Sequence, residues 1–140
     1  MTIGEIEDVL IEAVTGLALF AVVDSIGRDK EPPADAIFDY PYASVFFLGD
    51  EEVSNAGRPI DKLTFGVLVS VKNLAGEKEA AADAYALVDG VRGALRGKSL
   101  GVAGIEPLSC PSRQLVGYQD GVMTYLLLFT TRQYQPVVTD

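Results

Sequence analysis

The chain has no histidine, no tryptophan and a single cysteine in 140 residues. Without imidazole, the usual base that activates a serine or cysteine nucleophile is missing, and so is the commonest transition-metal ligand. One cysteine cannot close an internal disulfide, and no secretory signal opens the chain, so an intracellular setting is expected. The longest apolar run, Leu17–Val23, is far short of the ~20 residues that span a bilayer. Bases are scarce: 11 Lys and Arg stand against 20 Asp and Glu, for a net charge of −9. That balance argues against a nucleic-acid partner, because a phosphate backbone selects a basic face.

What is present is a chain that can fold. Hydrophobic residues make up 49%, and the length suits one domain with one core. Charge is uneven. Met1 to Asp61 carries 13 acids and 3 bases, a net of −10, whereas Lys62 to Asp140 carries 7 acids and 8 bases, a net of +1. Such a split arises from solvated faces, or from a subunit whose two edges differ in charge and meet head to tail.

Periodicity predicts two helices. Thr2 and Glu5 form a capping-box pattern ahead of an apolar stripe, Ile6, Val9, Leu10, Ala13, Val14 and Leu17, which predicts a helix over Ile3–Leu17. Glu5, Glu7 and Asp8 lie in its first turns, where the helix dipole favours acids. A second helix is predicted over Glu77–Arg96, with Ala81, Ala84, Tyr85, Val88, Val91 and Leu95 as its stripe and Gly97 as its stop. Phe20–Ser25 reads as a short strand or as more helix.

The strand signals follow. Gly27 to Pro41, with three prolines, reads as a loop. Tyr42–Leu48 and Lys62–Asn73 alternate as strands. Gly49–Pro59 between them reads as an exposed hairpin loop, or one with frayed strand at its base, and Asp50–Gly57 within it as mobile until assembly. Ile105–Ser109 reads as a short strand stopped at Pro111. Arg113–Tyr118 and Val122–Arg132 read as a hairpin about Asp120-Gly121, and Gln133–Asp140 as a polar tail. The last strand is apolar on both sides: Leu126 and Leu128 face one way, Leu127 and Phe129 the other. A strand with one solvated face would not read so. The expected fold is α+β, a mainly antiparallel mixed sheet of about four to six strands with two helices on one face.

Candidate chemistry is thin. Cys110 has no histidine to activate it, and no spacing marks a Ser-Lys pair. Asp50, Glu51 and Glu52 supply oxygen ligands, but consecutive residues diverge and no Asp-x-Asp-x-Asp-Gly loop occurs. Gly93 to Ser99 matches the letters of a phosphate loop, yet it falls at a helix end rather than between a strand and a helix. No cofactor and no catalytic residue is expected.

Three stretches carry a resemblance: Tyr40-Pro41-Tyr42-Ala43-Ser44-Val45 entering a strand, Ala84 to Leu95 on the second helix, and the closing Val122–Gln133 strand. With the order of elements, they resemble the small Mu-like phage and prophage tail terminator, or tail-completion, proteins, over roughly Ile6 to Gln133. The resemblance implies a non-enzymatic structural protein that forms a ring, typically hexameric, on the tail tube and presents a surface to the head. The implied partners are further copies of the chain, the tube protein and the head–tail connector. The implied location is the host cytoplasm during assembly and then the virion tail. Contact residues are expected among Asp50, Glu51 and Glu52, the bases Arg58, Arg113 and Arg132, and the apolar pair Leu126 and Leu128. A head–tail connector is a near alternative. So is a small-molecule binding module with a pocket lined by Tyr85, Tyr118 and Tyr125, and a carboxylate- or metal-dependent hydrolase is a third.

Overall fold

The computed structural model describes residues 2–25, 40–55 and 57–134. The expected Pro-rich loop falls almost wholly outside them. Helix α1 spans Ile3–Gly16, and the Thr2 side chain accepts the Glu5 N–H at 3.2 Å. Ile6, Leu10 and Val14 are buried, as the stripe required. Helix α2 spans Glu77–Leu95 and buries Ala80, Ala84, Val88, Val91 and Leu95. Its stripe is turned slightly from the expected one, leaving Tyr85 exposed. Gly97, at φ 78, ends the helix in the left-handed conformation that glycine adopts without strain.

Five strands form one sheet: β1 (Val22–Asp24), β2 (Tyr42–Asn55), β3 (Arg58–Lys72), β4 (Ser109–Gln119) and β5 (Val122–Tyr134), in the order β1-β2-β3-β5-β4. β1 is parallel to β2, and every other pairing is antiparallel. The fold class is therefore the expected one. Both helices pack on one face, against Ala43 and Val45 of β2, Leu63, Phe65, Val67 and Val69 of β3, and Leu127 and Phe129 of β5. These are the odd positions of each strand, because side chains alternate across a sheet. Close approaches tie the helix layer together: a Cβ at Gly90 of α2 would meet Leu19, just beyond α1, at 2.8 Å.

Three sequence expectations are corrected. Gly49–Pro59 is not a loop, because the ladder continues through Asp50↔Leu63, Glu51↔Lys62 and Glu52↔Asp61 to Asn55↔Arg58. Its polar composition reflects exposure, since Asp50, Glu51 and Glu52 are all exposed, whereas Ile60 opposite Val53 is buried. Ile105–Ser109 is not a strand. Ile105 makes a single bridge to Gln133, and the ladder of β4 begins at Ser109. Pro111 does not stop the strand but lies inside it, at a bulge between Ser109 and Ser112 on the sheet's edge, where a missing N–H is tolerated. The polar tail begins later than expected, since Gln133 and Tyr134 belong to β5. The Asp120-Gly121 turn is as expected, with φ 53 and 79, the two positive values a tight hairpin turn requires.

Candidate assembly surface

The face turned away from the helices carries the even positions. Paired residues across an antiparallel ladder share a face, so two rows run across the sheet. One is Ser44, Leu68, Leu126 and Gln114; the other is Phe46, Gly66, Leu128 and Ser112. Phe46, Leu68, Leu126 and Leu128 are each half-buried, and together they form an apolar band. Gly66 makes the band possible. A Cβ there would lie 2.5 Å from the Phe46 ring, so only glycine lets the ring lie flat across β3.

Hydroxyl rows flank the band. Ser70 and Thr124 share a hydrogen bond of 2.8 Å on one side, and Ser109 and Thr130 share one of 2.6 Å on the other. No helix or strand among the described residues crosses this face. Leu126 and Leu128 thus lie where sequence alternation put them. Phe46 and Leu68 complete the band, and their even positions were the signal that could have found them.

The remaining expected contact residues do not converge. Asp50, Glu51 and Glu52 are exposed on β2 and alternate: Asp50 and Glu52 point to the helix side, and Glu51, opposite Lys62, to the other. Among the described residues no three acids or cysteines group as metal ligands. Arg132 is exposed on the apolar band's face, level with Lys62. Arg113 points the other way and pairs with Asp89 of α2 at 3.0 Å. Arg58 pairs with Asn55 at the hairpin's end, and its side chain lies outside the described residues.

The rival chemistries find no geometry. Tyr85 and Tyr125 meet edge to face, with ring centroids 6.0 Å apart. Tyr118 instead lines an open hollow of about 590 Å³ with Tyr40, Val122 and Thr124. Neither Tyr85 nor Tyr125 lines that hollow. Burial, then the hydrogen bond and charge of Tyr85 and the charge of Glu77, push the Tyr125 hydroxyl above its usual range near 10. The Gly97-Lys98-Ser99 stretch follows the C-terminal end of α2, where carbonyls rather than N–H groups point outward. The Gly97 N–H donates to Leu108 O at 2.7 Å, and Lys98 O accepts from the Leu108 N–H at 3.0 Å. The Cys110 thiol is half-buried in the β4 bulge, 3.7 Å from Ser112 O.

One polar cluster escaped sequence reading. Glu7 is buried beneath α1. Its Oε1 accepts from Ser25 Oγ at 2.8 Å and its Oε2 from the Phe47 N–H at 3.1 Å. The carboxyl group ties the helix, the end of β1 and the open side of β2 together. Nothing in the spacing of Glu7 distinguishes it from the solvated acids beside it.

The described residues thus form an α+β sheet with both helices on one face and a half-buried apolar band on the other. The model of the Phage tail terminator protein family matches residues 9–136, and the chain belongs to that family. It is accordingly a non-enzymatic structural component of a phage-like virion tail. Among solved structures, a chain of the "Virion of native gene transfer agent (GTA) particle" shares the fold, with 19% identity, a TM-score of 0.56 and 95% of each chain covered. No curated protein matches the chain.

Proposed function

We propose that the chain ends tail-tube growth by closing as a ring, hexameric as its Mu-like resemblance implies, on the last tube layer, and that the ring presents the surface which joins the head. The supporting observation is the two-row apolar band on the helix-free face. An apolar surface bordered by hydroxyl rows is suited to being covered by another protein surface. Arg132 and Lys62 on that face, with Glu51 opposite Lys62, give the contact its charge pattern. The protein assembles in the host cytoplasm and remains in the virion tail.

The test uses tail tubes. Leu128→Asp places a charge in the band, and Arg132→Glu reverses one at its rim. Each is expected to abolish capping, read as uncontrolled tube length and loss of head attachment, while the free protein stays folded. Normal capping by both variants would show that this face is not the contact.

A further inference from the structure

Among the described residues the sheet has two unlike open edges. β4 is one of them. The other belongs to β2. β1 pairs only with Tyr42 to Ser44, and Glu7 takes the Phe47 N–H. From Leu48 to Asn55, β2 has no strand on that side among the described residues.

An open edge is a template for another strand, and proteins guard such edges with charge, proline or cover. β4 is poorly guarded. Its single charge, Arg113, is turned onto α2 by Asp89. Pro111 sits at the first bulge, and Ser112 to Leu115 run on in regular pairing with β5. Leu115 and Val116 are 51% and 58% exposed, beside Tyr118 and the exposed Tyr85.

We propose that copies of this chain join edge to edge, with β4 of one copy pairing antiparallel with the acidic outer half of β2 in the next. This rests on the tail-terminator reading above and names the contact between its copies. Three observations select a second copy as the occupant. First, the alternating antiparallel pairings make β2 and β4 run in opposite directions, so a copy displaced along the sheet brings its β2 antiparallel to β4. Second, β2 carries three exposed acids, and β4 carries no acid that would repel them. Third, Leu48, 50% exposed at the root of the acidic half, offers an apolar side chain to the apolar margin of β4. The contact is heterologous, the kind that closes into a ring when each step adds a fixed rotation. The two bulges in β4 bend the strand and so favour a turn at each step over a flat fibre.

Strand pairing predicts an alternation that no looser contact would produce. In a continuous sheet the helix-side positions of both copies share a face. Leu115 is on the helix side with Asp50 and Glu52, and Gln114 is on the far side with Glu51. Single-cysteine proteins in a Cys110→Ser background are mixed in pairs, loaded on tail tubes and oxidised. Leu115→Cys should form mixed disulfides with Asp50→Cys or Glu52→Cys and lose that product with Glu51→Cys. Gln114→Cys should show the reverse. Dominant Leu115→Cys homodimers would mean that β4 pairs with β4, overturning the proposal. So would an absence of mixed product across the set while the same proteins still cap tubes, and capping would then leave the terminator reading standing. Proteins that neither cap nor crosslink would overturn both, provided their melting temperatures match the parent's.

Discussion

At the scale of single residues, Glu7 and Gly66 matter for opposite reasons. Glu7 is a buried acid whose two oxygens are engaged by Ser25 and by the backbone of Phe47. Removing it deletes both of these hydrogen bonds. Glu7→Ala is therefore expected to cost about 2–3 kcal/mol in urea unfolding, against about 1 kcal/mol for Ser25→Ala, which removes one neutral hydroxyl. If Glu7→Ala left stability unchanged, the cluster would be solvated rather than buried. Gly66 contributes by what it lacks. A methyl there meets the outer end of the Phe46 ring, which can swing outward because it lies on the surface of the sheet. Gly66→Ala is expected to cost about 1 kcal/mol or less, yet to impair capping by lifting Phe46 out of the band. Gly66→Ala combined with Phe46→Leu should recover stability but not the flat surface. A single variant that caps normally would show that the ring is not part of the contact.

At the scale of elements, the β4–β5 hairpin turns on Gly121. Its positive φ disfavours any side chain, and a Cβ would lie 2.6 Å from Leu74 and 3.4 Å from Asn73 O. Gly121→Ala should cost about 1–2 kcal/mol in thermal unfolding. Tyr125, on the strand that follows, adds a pH dependence. Its folded-state pKa is raised, chiefly by burial, so the unfolded chain releases this proton first. Its stabilising contribution is complete below pH ~10 and is lost as pH rises through the folded-state value. Tyr125→Phe should flatten the alkaline fall in melting temperature, and an unchanged profile would assign that fall to other groups. The two helices and the Asp120-Gly121 turn were legible because caps, stripes and positive-φ residues act locally. The outer half of the β2–β3 hairpin was not. Its pairing partners lie across the hairpin, and a polar strand beyond the core carries no apolar alternation. Pro111 misled for a related reason, since proline is tolerated only where the strand is an edge, and edge position is a property of the whole sheet. Half of the apolar band, Leu126 and Leu128, was visible as a strand greasy on both sides. The other half came from β2 and β3, whose place beside β5 no local pattern encodes.

At the scale of the whole molecule, the assembly proposed above gives the acids of β2 a part in association rather than in stability. Changing Asp50, Glu51 and Glu52 together to Ser should move the melting temperature little, at under ~0.5 kcal/mol each, because all three are exposed. It should weaken assembly on tubes, and large unfolding would instead make the acidic ribbon part of the fold's support. The order of strands has a further consequence, one of timing. Among the described residues β5 is the last strand, but it lies between β3 and β4. A chain emerging from the ribosome can close the β2–β3 hairpin early. It then holds one side of β3 bare, with Leu63, Phe65, Val67 and Val69 short of their final neighbours, until Val122–Tyr134 is made. Synthesis of β5 is therefore the step that seals this side of the core. A product cut short before Val122 should be insoluble and quickly degraded. It would not survive as a defective subunit able to enter a growing particle, so the topology itself keeps incomplete copies out of the tail.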